Sequence, residues 1–189
     1  IATATGFFTI EIINSNHANY KYSLVWIKNR PTGFALSNKR PLRAHEDVLV
    51  FYKKQPFYNK QGVELEKPYS RRLPGKSDKI SKTNVINSTG LDKEGNPLIG
   101  QYTHKCKTTI MEFDNDNRHN YGNGTSKPVD LIKYLIETYS KEGDTILDPT
   151  FGSGSCAIAA FETNRKFVGF EKSLEQYNFA LSRINKETF

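Results

Sequence analysis

The sequence predicts an α/β fold with parallel strands in its C-terminal third. Three observations carry this. Apolar residues recur at helical spacing in Val129–Tyr139 and again in Ser173–Lys186. Two short apolar stretches, Thr145–Leu147 and Phe167–Glu171, lie between those segments and read as strands. The small-residue stretch Gly154–Glu162 separates the two strands and reads as a helix. Strands joined through a helix run parallel, so helix, strand, helix, strand, helix is a βαβ unit with flanking helices.

Taken from the start, Ile1–Ile13 is apolar, holds Gly6 and two Phe, and predicts the end of a strand followed by a short helix. Tyr20–Lys28 is rich in aromatic and β-branched residues and predicts a strand. Asn29–Ala44 contains Pro31, Gly33 and Pro41 and predicts a loop. Glu46–Tyr52 predicts another strand. Lys53–Gly100 is polar, contains Pro56, Pro68, Pro74 and Pro97, and predicts a long irregular insert. Loops of that length in a compact protein are functional or disordered. Thr108–Phe113 predicts a short strand. Val129–Tyr139 puts Leu131, Ile132, Leu135 and Ile136 on one face; Pro128 suits its first turn and Gly143 is expected to stop it. The strand after it ends at Asp148. The last helix carries Leu174, Tyr177, Phe179, Ala180, Leu181 and Ile184.

The chain has 189 residues and a composition ordinary for a globular protein, which excludes collagen-like, coiled-coil and wholly disordered readings. It shows no apolar run long enough to span a membrane and no signal-peptide pattern. It opens at Ile1 rather than Met, so a processed chain or a piece of a longer one is expected. Two cysteines, Cys106 and Cys156, form no disulfide framework and indicate a reducing compartment. His104, Cys106 and His119 lack a fourth ligand at zinc spacing, so no metal is expected. The net charge of +7 is uneven. Residues 21–90 hold 15 Lys and Arg against 5 Asp and Glu; residues 91–189 hold 12 against 14. The basic block is also rich in Tyr and Phe. Cations neutralise phosphates and aromatic rings stack on unpaired bases, so a nucleic acid and a plainly solvated basic face both fit it.

The informative stretch is Asp148-Pro-Thr-Phe-Gly-Ser-Gly-Ser155. It follows a strand and opens a helix, where ligands of open parallel sheets bind. Glycine at 152 and 154 permits close approach of a ligand to backbone, and the helix start offers free N–H groups. The next strand ends in Glu171, 19 residues beyond Gly152, the spacing at which an acid holds ribose hydroxyls. It is neither a P-loop nor a complete G-x-G-x-x-G.

D-P-T-F-G-S-G-S with F-V-G-F-E resembles the S-adenosylmethionine motif of amino-group DNA methyltransferases, which modify adenine at N6 or cytosine at N4. Asn123-Gly-Thr-Ser-Lys-Pro128 resembles the family's H-P-T-Q-K-P at Thr125, Lys127 and Pro128, and departs from it at 123, 124 and 126. Trp26-Ile-Lys-Asn-Arg-Pro-Thr-Gly-Phe34 and Pro41-Leu-Arg-Ala-His-Glu46 resemble two further segments. The motif order is that of the permuted β class. The resemblance implies a Rossmann-like S-adenosylmethionine methyltransferase sheet, incomplete in this chain, with an irregular basic target-recognition insert. It implies residues 1–29 as the first part of the catalytic sheet, 30–120 as the DNA-recognition region, and 121–189 as the cofactor half. Asp148, Phe151, Gly152, Ser153 and Gly154 would line the cofactor. Thr125 and Lys127 would meet its carboxylate end, and Glu171 its ribose. Arg30, Lys39, Arg40, Arg43 and His45 would face double-stranded DNA. The implied setting is bacterial or phage-encoded restriction–modification in the cytoplasm, with adenine N6 favoured.

The family's catalytic [D/N/S]-P-P-[Y/F] is absent, since the chain contains no Pro-Pro dipeptide. The resemblance implies that its strand would lie between the one ending at Asp148 and the one opening the chain. A fragment, or a chain completed by a missing N-terminal segment or a second chain, is therefore expected. A non-catalytic DNA-binding relative is the alternative, and the basic block fits RNA as well as DNA.

Overall fold

The computed structural model describes residues 1–72, 99–105, 107–115 and 126–188. The chain divides into two compact units, Ile1–Asn59 with Thr108–Phe189, and Lys60–Lys107. The larger unit opens with β1 (Ala2–Ala4), then α1 (Phe7–Ser15), β2 (Tyr20–Thr32) and β3 (Arg43–Phe51). Gly6 sets up α1 at φ 61°, a conformation that favours glycine. Strand β3 pairs antiparallel with β1 through Ala2↔Leu49 and Ala4↔Asp47, and with β2 through Leu24↔Val48 and Trp26↔Glu46.

The smaller unit is an antiparallel pair, β4 (Val63–Arg72) and β5 (Ile99–Lys105), running from Val63↔Lys105 to Arg72↔Ile99. An irregular insert is expected over Lys53–Gly100, and this pair corrects it at both ends. The proline that masks β4 is Pro68, which falls inside the register shift between Glu64 and Tyr69, so its missing N–H costs no ladder bond. Residues 73–98, the middle of the expected insert, lie outside the described residues.

The chain returns to the larger unit as β6 (Ile110–Phe113), parallel to β2 through Val25↔Ile110 and Lys28↔Phe113. The result is a mixed sheet in the order β1-β3-β2-β6. Strand β2 runs on to Thr32, where a loop from Asn29 is expected. Its pairing with β6 ends at Lys28, so Pro31 sits beyond that ladder and is tolerated. Then come α2 (Val129–Tyr139), β7 (Thr145–Asp148), α3 (Ser155–Glu162), β8 (Lys166–Gly169) and α4 (Leu174–Thr188). Strands β7 and β8 are parallel, as the βαβ reading requires, in register Thr145↔Lys166 to Asp148↔Gly169. Helix α2 ends earlier than Gly143. Ser140 caps it, its hydroxyl donating to the Ile136 carbonyl at 2.7 Å, and Gly143 (φ 81°) turns the chain into β7 instead.

Alternating residues Leu24 and Trp26 of β2, with Val48 and Val50 of β3, form a core with Met111, and α2 closes it with Leu131 and Leu135. On its other side α2 packs Ile136 against Ala159 and Ala160 of α3. Helix α2 thus joins the mixed sheet to the βαβ part. The opposite face of β7 and β8 is bare: Leu147, Val168 and Phe170 are 63%, 46% and 61% exposed. No helix among the described residues is long and apolar enough to cross a membrane.

Candidate functional site

The end of β7 builds the site. Asp148 closes the strand, and one of its carboxylate oxygens accepts the Thr150 N–H at 3.0 Å. The chain then crosses to β8: the Phe170 N–H donates to the Asp148 carbonyl and the Phe151 N–H to the Phe170 carbonyl. These bonds pin the loop to both parallel strands before α3 begins. Phe151 is buried and meets Phe167 and Tyr177 edge-on, with centroids 5.9 and 6.0 Å apart. Its ring is an anchor for the loop as well as part of the cleft wall.

The two loop glycines do different work. At Gly152 (φ 50°) an added Cβ would meet nothing nearer than the Thr150 carbonyl at 3.8 Å, so the backbone there stands open. At Gly154 (φ 83°) it would press on Ala180 and Ile184 of α4, each at 3.3 Å. Gly152 leaves room beside the chain; Gly154 lets α4 pack on it. Gly169 is a third contact point, since a Cβ there would lie 2.5 Å from the Phe167 ring.

Glu171 lies just past β8 and reaches back across the loop. One carboxylate oxygen accepts the Gly152 N–H at 3.1 Å and the other the Ser173 N–H at 2.9 Å. Each oxygen keeps a further lone pair for a hydroxyl donor. Cys156, in the first turn of α3, faces Asp148. Burial, then the negative charge of Asp148 and a hydrogen bond to its carboxylate, push the thiol up to about 12, so it stays protonated.

A cleft of about 1020 Å³ opens on this loop. Ser126, Lys127, Asp148, Phe151, Gly152, Ser153, Ser155 and Cys156 line it. Ala2 and Thr3 of β1, and Thr145 to Leu147 of β7, form two of its walls. The volume is at the upper end for sites that take a small organic ligand. The expected residues Lys127, Asp148, Phe151, Gly152 and Ser153 therefore come together. Gly154 and Glu171 do not line it, and Glu171 touches the loop through the Gly152 N–H. Thr125 lies outside the described residues.

Lys127 has a further partner. Its ammonium is 3.3 Å from Glu46, whose other carboxylate oxygen is 2.5 Å from Lys28. Lys28 follows Leu24 and Trp26 on the inward face of β2 and is buried. Burial opposes ionisation of Glu46, but the Lys28 hydrogen bond and the charges of Lys127 and Lys28 outweigh it and hold the carboxyl below its usual range. Of the residues expected to face DNA, Arg30, Lys39, Arg40 and His45 are exposed. Arg43 is half-buried and donates to Thr5 at 2.6 Å, tying β3 to the turn after β1. His104 is exposed on β5, while Cys106 and His119 lie outside the described residues. Among the described residues no group of His, Cys, Asp or Glu is placed to hold a metal.

Sequence reasoning overlooked Glu46, Ser155 and Arg183. The signal for Arg183 was available: it lies three residues after Ala180 and beside Ile184, on the apolar face of α4, where a charge requires an explanation.

The sequence profile of the N6/N4 DNA methylases matches residues 4–182. The Type II methyltransferase M.HindIII of Haemophilus influenzae is 46% identical over 159 residues, which are 84% of this chain and 45% of that protein. The Type II methyltransferase M1.MboII of Moraxella bovis is 27% identical over 188 residues, 94% of this chain and 68% of that one. The chain thus spans under half the length of the first relative and about two thirds of the second. A crystal structure of the M1.HpyAVI–SAM complex superposes with a TM-score of 0.60 at 20% identity, covering 97% of this chain and 72% of that one. The cytosine-N4-specific PvuII DNA methyltransferase superposes with a TM-score of 0.58 at 14% identity, covering 96% and 61%. At those identities the likeness is one of fold, a mixed α/β methyltransferase architecture. With the family profile running from residue 4 to residue 182, the chain belongs to the N6/N4 DNA methylases.

Proposed function

We propose that this chain supplies the S-adenosylmethionine-binding part of a DNA amino-methyltransferase, bacterial or phage-encoded and cytoplasmic. The observation that carries the reading is the cleft at the end of β7, where Asp148, Gly152 and Ser153 of the family's cofactor motif meet Lys127. The residues fit the group. The open backbone at Gly152 leaves a cradle that a Cβ would fill, and the Asp148 carboxylate lines the same cleft, where it would favour a cationic ligand. Glu171, fixed by two backbone amides, keeps acceptor capacity for ribose hydroxyls. Lys127 brings positive charge to the end we assign to the cofactor's carboxylate, and Thr125 is assigned there with it.

The cofactor supplies a methyl group on positively charged sulfur. Asp148, Gly152, Ser153, Lys127 and Glu171 would hold that group so that its methyl could pass to the target amino nitrogen. Such a transfer depends on alignment and exclusion of water more than on a strong base. The chain's part is to fix the loop and orient its ligand. The target base must leave the helix to reach the cleft. We take adenine N6 rather than cytosine N4 as the target. Residues 30–120 would choose the sequence on double-stranded DNA, with Arg30, Lys39, Arg40, Arg43 and His45 facing its backbone.

The outer edges of β1 and β7 both border the cleft and have no strand partner among the described residues. Unpaired backbone beside a binding cleft is costly. A further strand, from a longer form of this chain or from a second chain, would pair there and carry the catalytic motif.

The test is calorimetric titration of the chain with S-adenosylhomocysteine, with Gly152→Asp beside it. We expect saturable binding that the variant loses, because a side chain at φ 50° is strained and fills the cradle. A folded protein that binds neither in the wild type nor in the variant would overturn the reading.

A further inference from the structure

Buried arginines demand partners, because an unpaired guanidinium away from water is costly. Arg183 of α4 is 5% exposed. One of its terminal nitrogens, Nη1, donates to the Ser155 hydroxyl at 2.8 Å, the Ser153 carbonyl at 3.1 Å and the Ser153 hydroxyl at 3.4 Å. Those hydroxyls do not stand alone. The Ser126 hydroxyl lies 2.7 Å from that of Ser153 and 3.2 Å from that of Ser155, and the last two are 3.4 Å apart.

Three separate pieces of chain meet in this cluster: the segment before α2, the stretch from Gly152 into α3, and α4. Ser126 precedes Lys127 and the start of α2. Ser153 sits at the bend between Gly152 and Gly154. Ser155 is the first residue of α3. All three serines line the cleft, and Arg183 stands behind them, outside it. The contact of Gly154 with Ala180 and Ile184 sets the distance of α4 from the loop, and so the reach of Arg183.

We infer that Arg183 is a positioning residue: it fixes the 152–155 loop and, through the serine hydroxyls, joins that loop to the segment that carries Lys127. Its guanidinium takes up serine lone pairs, which turns the hydroxyl protons toward one another and toward the cleft. The loop then presents one arrangement of donors before a ligand arrives, and preorganisation of this kind raises affinity. The inference rests on the cofactor reading for the identity of that ligand, but the order of the loop does not depend on it.

The experiment has two readouts on the full chain. The first is amide hydrogen exchange of the ligand-free protein. Arg183→Met, which keeps the length and apolar stem, is expected to raise exchange at 150–155 while α2 and β3 stay protected. The second is calorimetric affinity for S-adenosylhomocysteine. Arg183→Met is expected to bind about tenfold more weakly. Arg183→Lys should recover part of the loss, and combining Arg183→Met with Ser153→Ala should cost little more than either alone. Unchanged loop exchange in a folded Arg183→Met overturns the inference, whether or not any variant binds. Loosened exchange with unaltered affinity overturns its link to the ligand. Absence of binding in the wild type, with the exchange result as expected, would remove the cofactor reading and leave the positioning role standing.

Discussion

Glu46 holds two lysines that lie 99 residues apart in the chain, Lys28 and Lys127. The carboxylate is largely buried, and its pKa is lowered because the lysine hydrogen bond and charges outweigh burial. A carboxyl depressed in the folded state stabilises it fully above the ordinary value of 4.5, and that contribution is lost as pH falls through the lower folded value. Melting temperature should therefore drop more steeply below pH 4.5 for the wild type than for Glu46→Gln, measured by circular dichroism across the acid range. At neutral pH the same substitution leaves Lys28 buried without its charge partner and should cost about 3–5 kcal/mol in urea denaturation. The inward position of Lys28 was legible from its alternation with Leu24 and Trp26. Its partner was not, because which acid faces a lysine across two strands depends on register, and register follows from the pairing of β2 with β3. The same limit applies at the site. Spacing identifies Gly152 and Glu171, but the 3.1 Å bond between them arises only when β8 lies beside β7.

Helix α2 is the element on which both halves of the larger unit depend. Leu131 and Leu135 close the core of the mixed sheet, and Ile136 turns to α3. Leu131 is 1% exposed. Leu131→Ala should cost about 2–5 kcal/mol, the range for a buried leucine whose site cannot collapse, and urea denaturation should register it as a lowered midpoint. The helix was readable from the sequence because its apolar face repeats at helical spacing. So were β7, α3, β8 and α4, where turn residues punctuate each change of period. The sequence was less clear where proline stands in a strand. Pro31 and Pro68 argue for loops, yet each sits where no ladder hydrogen bond is required of it. The span of α2 agrees with its pattern, Val129–Tyr139, but Ser140 caps it and Gly143 serves the turn into β7.

At the scale of the whole molecule, charge and coverage dominate. If the chain binds DNA as proposed, the excess of Lys and Arg in residues 21–90 predicts that affinity falls linearly on a log–log plot as salt rises. Lys39 and Arg40 are exposed and adjacent in sequence. If both meet phosphates, replacing both with Gln should flatten that slope by about 0.9 per lost contact, in fluorescence-anisotropy titrations of duplex DNA at several salt concentrations. An unchanged slope would remove these two residues from the interface.

The outer edges of β1 and β7, unpaired among the described residues, have a consequence for solubility. An exposed strand edge is a template on which any extended peptide, including another copy of the same chain, can add hydrogen bonds. Here the liability is bounded by length, because β1 has three residues and β7 four. It is increased by the apolar side chains of Leu147, Val168 and Phe170 on the face beside them. The surface that would receive a further strand is thus also one on which copies of this chain can associate at high concentration.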